Sequence, residues 1–384
     1  MKKNILFYYP TPIIPESGGV ERVTFLLSKF LIEQGYFVYY LHLPSKFNYD
    51  TFPLGIKPIF LPDSCLMSSA NIDYYNQIID SYHIDIIINQ QGQYEGAYFI
   101  GTLKSKVPII SVIHNNPIQE YGYLWHSAIR LRNESFIEKL KRIARIILYP
   151  KTKFQMHKSI LNHYKYLYNH TETICLLSSQ FLPILKQIDA SLLKKAFVIN
   201  NPNTYNAVNN IPSKENIVLY VGRVQNRQKN LTDLISIWRK IKNDKWKLII
   251  LGDGPDRTFL EILSSGCKNI VFEGFKDPKP YYQKAKIICL TSIYEGWGMV
   301  LTEAMQFGCV PIAFDSFPAI RDIIIPNETG ILVKPFSKKE YIFKLIHLME
   351  DDNYRTQLSQ KGFEYVKKFD KSNILPKWIE LIEL

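Results

Sequence analysis

The stretch KIICLTSIYEGWGMVLTEAM, residues 286–305, contains three local signals in one run. Its first seven residues, KIICLTS, contain the apolar run IICL, which is typical of a buried β-strand. The residues that follow, with Gly296 and Gly298, predict a loop, and the pattern from Met299 onward predicts a helix. A strand, a glycine-containing loop and a helix together form the repeating unit of α/β folds. The stretch therefore predicts an α/β domain.

The same unit recurs along the whole chain. The further strand candidates are ILFYY (5–9), YFVYYLHL (36–43), IDIIINQ (84–90), VPIISVIH (107–114), ETICLLS (172–178), NIVLYVG (216–222), KLIILG (247–252), NIVFEG (269–274) and VPIAFD (310–315). Continuous apolar runs alternating with helical patterns indicate a parallel sheet covered on both faces. The pattern ends at AFVINNPN (196–203) and restarts after a polar stretch. We therefore expect two doubly wound, Rossmann-like domains facing an inter-domain cleft.

The expected domain boundaries follow from this restart. The first domain takes residues 1–203 and includes a strandless, basic helical segment at 119–170. The second domain takes residues 204–365. Residues 366–384 are expected to form terminal helices, broken at Pro376, that pack back toward the first domain. The 384 residues are enough for two cores of ordinary size.

Composition narrows the class of protein. The five cysteines are scattered, odd in number and without metal-site spacing, which favours reduced thiols in a cytoplasmic protein. The N-terminal MKKNILFYYPTP mimics a signal peptide, but Pro10 and Pro12 interrupt it and no cleavage site follows, so we interpret it as a first strand. No apolar run approaches the roughly 20 residues of a membrane span.

Positive charge is concentrated in one segment. The net charge is +12, and residues 126–170 contain ten Lys or Arg against two acidic residues, a net +8. Within SFIEKLKRIARIILYPKTKF (135–154), apolar residues fall at helical spacing with basic residues between them, as in a basic amphipathic helix. Contact with an anionic membrane surface and simple packing on the first domain both remain open. The protein is expected to be cytoplasmic, at the inner face of the membrane if the first alternative holds.

Charged residues follow the strands of the second half. Arg223 follows NIVLYVG, and Lys229 precedes the next helix. Two cations there suit a diphosphate, because the planar Arg guanidinium can donate two parallel hydrogen bonds to a phosphate and the Lys ammonium is a positive charge on a flexible side chain. Glu295 lies beyond the carboxyl end of a strand, where open α/β sheets bind ligands. Glu303 lies in the first turns of the helix, whose free amides favour an anion.

These residues resemble the pattern of the retaining family 4 glycosyltransferases of the GT-B fold. The pattern consists of Gly222-Arg223 with Lys229-Asn230, then GDGP (252–255), then two glutamates separated by seven residues in YEGWGMVLTEAMQFGCVPIAFD. In the first half, SGGVER (17–22) resembles the family's glycine-rich first loop, and His114 stands at the position of its active-site histidine. The resemblance covers residues 4 to about 370. It departs from the family in Trp297, where Phe is usual, and in the segment 119–170.

The resemblance implies roles for these positions. The first domain would bind the acceptor and the second the nucleotide sugar. Arg223 and Lys229 would grip the donor diphosphate, Glu295 the hydroxyls of the transferred sugar, and Glu303 the ribose. His114 would face the sugar. The remaining donor-binding residues would be Gly19, Phe275, Gly296, Gly298, Met299 and Val300, with Glu295, His114, Arg223 and Lys229 as the catalytic set.

The resemblance also implies a reaction. The family retains anomeric configuration, by a displacement in which the leaving phosphate takes the acceptor proton. No DxD motif lies at a strand end, so we expect no metal and no cofactor besides the nucleotide-sugar donor. UDP-sugars are the family's commonest donors, although GDP-sugars also occur. The basic segment favours a lipid-linked or otherwise anionic glycan acceptor in bacterial capsule, lipopolysaccharide or exopolysaccharide synthesis.

Two other classes of function remain open. The same fold serves nucleotide-sugar epimerases and phosphorylases, although the chain shows neither an acid–base set for a sugar ring nor the length of a phosphorylase. A non-catalytic basic protein could bind membrane or nucleic acid, but the chain has no zinc-site spacing and no RNA-binding motif. We therefore expect no nucleic-acid partner.

Overall fold

The computed structural model describes residues 2–49, 55–118 and 136–384, apart from the side chains at 136–139 and 142. It divides the chain into two compact units. The first unit is Met1–Asn200 together with Lys377–Leu384, and the second is Asn201–Pro376. Among these described residues, each unit contains one sheet, and its strand pairs are all parallel.

The first unit is built on a seven-stranded sheet of order β3-β2-β1-β4-β5-β6-β7. Its strands are β1 Asn4–Tyr8, β2 Phe37–His42, β3 Ile56–Phe60, β4 Ile86–Asn89, β5 Ile109–Ile113, β6 Thr173–Leu176 and β7 Ala196–Val198. Its described helices are α1 Gly19–Glu33, α2 Ser69–Ser81, α3 Glu95–Ile100, α4 Phe136–Ile147, α5 Tyr149–His170 and α6 Leu182–Ile188. Helix α1 forms because Val23, Leu27 and Leu31 recur every fourth residue and bury one face against the core.

The second unit is built on a six-stranded sheet of order β10-β9-β8-β11-β12-β13. Its strands are β8 Glu215–Val221, β9 Lys247–Leu251, β10 Ile270–Gly274, β11 Ala285–Leu290, β12 Val310–Phe314 and β13 Ile331–Val333. Its helices are α7 Asn226–Lys229, α8 Leu231–Trp238, α9 Arg257–Leu263, α10 Lys279–Lys284, α11 Met299–Met305, α12 Ile320–Ile323, α13 Lys338–Glu350 and α14 Asp352–Val366. Every residue of β12 is buried, so both faces of the sheet are covered.

The chain order of the strands reverses at one place in each sheet. Strands β1 and β4 are neighbours in the first sheet, and β8 and β11 are neighbours in the second. At such a topological switch point the loops leaving two adjacent strands diverge, which opens a crevice outside the carboxyl ends. The loops after β8 and β11 carry the charged residues singled out above, so the fold brings them together.

The sequence did not predict the strands β3 and β13. Strand β3 contains Pro58, which lacks the N–H that an internal strand needs, but β3 is the edge of its sheet and requires bonds on one side only. Strand β13 is also an edge strand and has only three residues. Apolar runs this short lie below what periodicity can detect.

The expected break at Pro376 is wrong. Helix α15, Lys371–Glu383, continues through Pro376, which stands inside it. A proline removes one backbone hydrogen bond from a helix and usually kinks it. Here the residues on both sides of Pro376 are deeply buried: Ile374 is 1% exposed and Trp378 is 3% exposed. Their burial outweighs the cost of the proline.

The basic segment is helical where it is described. Residues 119–135 lie outside the described residues, and α4 and α5 follow them. Helix α5 is attached to the first unit near its C-terminal end, where Tyr164 and Leu167 are buried and the Tyr164 hydroxyl donates to Pro117 O at 3.1 Å. Every described side chain of α4 is exposed. None of the helices in the described part of the chain combines the length and hydropathy that crossing a bilayer requires.

Candidate active site

Two glycines shape the carboxyl ends of β8 and β9. Gly222 has φ +147° and Gly252 has φ +134°, conformations that L side chains rarely adopt. A Cβ on Gly252 would lie 2.0 Å from Gly222 O, so the two loops can approach only without side chains. The Arg223 side chain that follows is exposed and makes no hydrogen bond or ion pair with any residue in the described part of the chain. Its guanidinium group is therefore available to bind an anion at the edge of the crevice.

Lys229 and Glu295 form an ion pair across the switch point. Lys229 ends α7, and its Nζ lies 2.6 Å from Glu295 Oε1. The two side chains are 19% and 11% exposed. The Thr291 hydroxyl donates to Lys229 O at 3.1 Å, which ties the two loops together through the backbone as well. Because the pair is largely shielded from water, its electrostatic interaction is stronger than that of a surface pair.

Glu295 is held by one oxygen and leaves the other open. The Ser292 hydroxyl also donates to Oε1, at 2.6 Å, while Oε2 has no partner among the described residues. The Ser316 hydroxyl in turn donates to Ser292 O at 2.6 Å. The carboxylate is therefore oriented before any ligand arrives, and Oε2 can accept from a hydroxyl.

The glycines of the loop set the start of α11. Gly298 has φ +94° and precedes the helix, whose first residues are Met299 and Val300. The amides of Met299 and Val300 make no hydrogen bond with any residue that the structure describes. Trp297 is only 3% exposed and packs edge-to-face on Phe369, with ring centroids 5.2 Å apart. Trp297 is therefore a core residue whose ring packs against a second aromatic side chain.

Glu303 is buried rather than open. It is 1% exposed, and each carboxylate oxygen accepts a hydrogen bond from a hydroxyl: Oε1 from Thr204 at 2.5 Å and Oε2 from Tyr282 at 2.9 Å. These two bonds fix the carboxylate inside the second unit. The ribose-binding role of Glu303 stays a prediction.

Phe275 follows β10, beyond β9, and is 72% exposed. Gly274 precedes it with φ +72° and accepts from the Gly252 N–H at 2.8 Å. The loop of Phe275 is thereby linked to the glycine loop after β9. An exposed aromatic ring can stack on a nucleobase, and the donor-binding role of Phe275 stays a prediction.

The first unit carries the predicted residues Gly19 and His114. Gly19 opens α1 after the loop that follows β1, and His114 follows β5. The His114 Nε2 atom lies 2.6 Å from Gln90 Oε1. Burial lowers the pKa of His114 to about 4, so its imidazole is neutral at physiological pH.

Sequence reasoning missed several polar partners of these residues. Ser292, Thr204 and Tyr282 hold the two glutamates, and Gln90 holds His114. Gln90 and Ser292 each lie at the end of an apolar strand pattern, which is a usable signal for a ligand-side residue. Thr204 and Tyr282 carry no such signal, because they lie 99 and 21 residues from Glu303. Within the described part of the chain, no group of three or more His, Cys, Asp or Glu could hold a metal ion.

Two family models match the chain. The model described as Glycosyl transferases group 1 matches residues 202–365, and the model described as Glycosyltransferase Family 4 matches residues 17–153. The two ranges fall in the second and the first unit respectively. They include the pair Lys229–Glu295 in one unit and His114 in the other.

Curated relatives match over part of their length. The GalNAc-α-(1→4)-GalNAc-α-(1→3)-diNAcBac-PP-undecaprenol α-1,4-N-acetyl-D-galactosaminyltransferase of Campylobacter jejuni is 32% identical over 173 residues, 44% of this chain and 48% of that protein. The amylovoran biosynthesis glycosyltransferase AmsD of Erwinia amylovora is 30% identical over 203 residues, 50% of this chain and 56% of that protein. The chain thus spans about half the length of these relatives.

The fold matches that of a solved structure along the full chain. HepE of Anabaena, solved in complex with UDP, superposes with a TM-score of 0.74 at 14% sequence identity and covers 99% of both chains. At this identity the likeness concerns the fold alone. It confirms the expected GT-B fold with two Rossmann-like domains. Together with the two family models, these comparisons show that the chain belongs to glycosyltransferase family 4.

Proposed function

We propose that this chain transfers a sugar from a nucleotide-diphosphate sugar, with a UDP-sugar favoured, to a glycan or lipid-linked acceptor. One observation carries the proposal: the switch point of the second sheet combines an oriented carboxylate, Glu295, with two cations, Lys229 and Arg223. A diphosphate needs cations, and a sugar needs acceptors for its hydroxyls. The arrangement offers both within one pair of loops.

The chemistry follows from how charge develops. Breaking the bond between the sugar and the phosphate leaves positive charge on the sugar and negative charge on the diphosphate. Lys229 and Arg223 stabilise the diphosphate, and the open amides of Met299 and Val300 add two donors. Fixed donors of this kind each contribute about 3 kcal/mol to transition-state stabilisation in a water-poor site. Glu295 Oε2 holds the sugar hydroxyls.

The relatives support an acceptor in surface polysaccharide synthesis. The C. jejuni relative is named for an acceptor carried on PP-undecaprenol, and the E. amylovora relative for the biosynthesis of amylovoran. By analogy, we propose that this chain extends a bacterial surface polysaccharide. We propose a UDP-sugar as the donor by analogy with HepE, which was solved in complex with UDP.

A release assay tests the proposed activity. The chain is mixed with UDP-glucose, UDP-galactose, UDP-N-acetylglucosamine, UDP-N-acetylgalactosamine or GDP-mannose, and the liberated nucleoside diphosphate is measured. Transfer or slow hydrolysis of one donor releases its nucleoside diphosphate. An epimerase would interconvert sugars without lasting release, and a non-catalytic binding protein would do neither. Either of those results would refute the proposal.

We further propose that the anomeric configuration of the sugar is retained. No side chain need act as the nucleophile, because the leaving phosphate oxygen can take the acceptor proton on the same face. The supporting observation is that Glu295 Oε1 is bound by Lys229 and Ser292, which suits a binding role better than nucleophilic attack. Proton NMR of the first-formed product gives its anomeric configuration, and an inverted product would refute the mechanism.

The proposed reaction is metal-independent, because Lys229 and Arg223 supply the charge that Mg²⁺ supplies elsewhere. We expect excess EDTA to change the rate of nucleoside diphosphate release by no more than about twofold. A tenfold change in rate would correspond to about 1.4 kcal/mol, so the expected effect is well below that energy. The rate is measured with the donor from the release assay, before and after added MgCl₂. Complete loss with EDTA that MgCl₂ restores would contradict metal independence.

We also propose that α4 and the start of α5 bind an anionic membrane surface. Large apolar side chains are exposed there: Leu140 52%, Ile143 50%, Ile147 71%, Leu148 52% and Phe154 69%. Between residues 139 and 171 the sequence has no acidic residue, while eight positions are Lys or Arg. An apolar stripe flanked by cations is the composition that binds the interface of anionic bilayers.

Acidic substitutions in this patch test membrane binding. We expect the double variant Ile147→Asp, Leu148→Asp to bind phosphatidylglycerol vesicles at least about tenfold more weakly than the wild type. The variant loses two apolar side chains that would enter the bilayer interface, and its two new negative charges are repelled by the anionic lipid. Flotation at low salt measures the binding. The matched control is the double variant Phe259→Asp, Ile262→Asp, since Phe259 is 52% and Ile262 68% exposed in the second unit. Equal binding by the double variant and the control would contradict the proposal.

A further inference from the structure

The loop after β4 holds the histidine that follows β5. Gln90 comes directly after β4, is 4% exposed, and places its Oε1 2.6 Å from His114 Nε2. The loop backbone is fixed on both sides: the Gln90 N–H donates to Tyr8 O at 3.0 Å, and the Gly92 N–H donates to Val112 O at 3.2 Å. A Cβ on Gly92 would lie 2.7 Å from Val112 O, so only glycine lets the loop run this close to β5. Gln90 is therefore firmly placed.

A second glutamine of the same loop has a different task. Gln93 is 5% exposed, its Nε2 donates to Asn116 O at 2.7 Å, and its Oε1 accepts from the Asn115 N–H at 3.0 Å. These contacts fix the backbone after His114 and leave the imidazole ring untouched. Gln93 holds the loop, whereas Gln90 holds the ring.

The contact with Gln90 determines which nitrogen of the ring carries the proton. An amide oxygen accepts hydrogen bonds and cannot donate, so His114 Nε2 is the protonated nitrogen. Nδ1 then carries a lone pair. It makes no hydrogen bond with any described residue, and it is not closed off from solvent. Because burial lowers the pKa of His114 to about 4, this lone pair persists at neutral pH.

We propose that Gln90 is a positioning residue that fixes His114 as the Nε2–H tautomer, so that the ring offers the substrate a hydrogen-bond acceptor. The substrate group that meets His114 is then a donor, such as a sugar hydroxyl or an acetamido N–H. A carboxylate or phosphate at that place would face a lone pair and lose its solvation without compensation. This specificity rests on the proposed function, whereas the tautomer itself does not.

Nitrogen NMR of the full chain labelled with ¹⁵N-histidine tests the tautomer without any nucleotide sugar. His114→Ala assigns the His114 signals by their loss. We expect Nε2 to show the chemical shift of a protonated ring nitrogen and Nδ1 that of an unprotonated one at pH 7.5. A protonated Nδ1 would overturn the proposal. This measurement decides the proposal even where the release assay fails.

Two matched variants separate positioning from stability. Gln90→Leu removes the acceptor on Nε2, so we expect both tautomers to be populated and the release rate to fall about tenfold, the size of one hydrogen bond to substrate. Gln93→Leu removes an equally buried amide from the same loop, and we expect lower stability with an unchanged tautomer. If Gln90→Leu leaves both the tautomer and the release rate unchanged, the proposal is wrong. If it does not fold, the wild-type spectrum still decides.

Fluorinated donors test the acceptor role directly. Replacing one sugar hydroxyl at C3, C4 or C6 by fluorine keeps its size but removes its proton. The analogues are made from the donor that gives release in the assay. We expect one analogue to bind the wild type about tenfold more weakly than the unmodified donor does. The same analogue and the unmodified donor should bind His114→Ala equally well. If no analogue shows this coupling, His114 does not select a hydroxyl of the transferred sugar.

Discussion

Replacing Lys229 with methionine should lower kcat/KM for the nucleotide sugar by about 10³-fold, the loss expected when one preorganised donor is removed from a developing anion. Methionine keeps the length and the apolar stem of the side chain while it removes the charge. In the structure, the ammonium is anchored 2.6 Å from Glu295 and is only 19% exposed, so water cannot replace it fully. The rate of nucleoside diphosphate release measures the effect.

The same variant has a second expected consequence. Glu295 is 11% exposed and would lose its counter-ion, although the Ser292 hydroxyl would still donate to it at 2.6 Å. We therefore expect a moderate loss of stability, about 2 kcal/mol in urea unfolding, less than for a fully buried pair. The loss of activity must persist at temperatures where the variant is fully folded.

Arg227→Met is the matched control for Lys229→Met. Arg227 lies two residues earlier on the same short helix, and its side chain is exposed. This substitution removes one positive charge from the same helix and leaves Lys229 itself, with its contact to Glu295, unchanged in sequence. Activity within about threefold of wild type is expected for a surface charge whose interactions are worth under 1 kcal/mol. If both variants lose activity equally, net charge rather than the placement of Lys229 is responsible.

The sequence predicted the fold well because its signals are local. Each buried strand of a parallel sheet is a continuous apolar run, and each run found from the sequence coincides with a strand within a few residues, as with NIVLYVG and Glu215–Val221. The exceptions, β3 and β13, are short edge strands with weak patterns. The prediction at Pro376 was wrong for a different reason. Proline usually breaks a helix, but here the burial of Ile374 and Trp378 keeps the helix continuous.

The sequence predicted where the candidate site residues lie in the sheet, but not which contacts they make. The positions of Arg223, Lys229 and Glu295 after their strands predicted that these residues lie at one edge of the sheet, because parallel strands bring their carboxyl ends together there. The family resemblance assigned Lys229 to the phosphates and Glu295 to the sugar, and nothing in the sequence indicated that the two would pair. Their contact joins residues 66 apart in sequence. Such pairing depends on the loop conformations that Gly222 and Gly298 permit, which only the structure shows.

Glutamine in place of each glutamate should separate transfer from nucleotide binding. Glu295→Gln keeps the shape of the side chain but removes the charge that pairs with Lys229 and weakens the acceptor at Oε2. We expect kcat to fall by about 10²-fold or more, because an interaction formed with the reacting sugar is lost. Free UDP has no transferred sugar, so its affinity for this variant should stay within about twofold of wild type, a difference far below 1.4 kcal/mol.

Glu303→Gln should act on nucleotide affinity instead. The two carboxylate oxygens of Glu303 accept hydrogen bonds from the hydroxyls of Thr204 and Tyr282. In glutamine an NH₂ group replaces one of these oxygens, so one hydroxyl would have to accept instead of donate. The NH₂ group also cannot accept a hydrogen bond from a ribose hydroxyl. We expect UDP affinity to fall about tenfold, with kcat at saturating donor nearly unchanged, because uniform binding is lost rather than transition-state binding. Calorimetric titration with UDP and the release assay measure the two quantities.

The comparison of the two variants decides whether the two glutamates divide the donor between them. Tyr282→Phe is the control, since it removes one hydrogen bond to Glu303 and leaves the carboxylate in place. If Glu303 binds the ribose, Tyr282→Phe should weaken UDP binding less than Glu303→Gln does. Equal losses of UDP affinity in Glu295→Gln and Glu303→Gln would mean that neither residue is specific to one part of the donor. Unchanged UDP affinity in Glu303→Gln would mean that this buried carboxylate only joins Thr204 to Tyr282, and that the second unit holds the ribose by other groups.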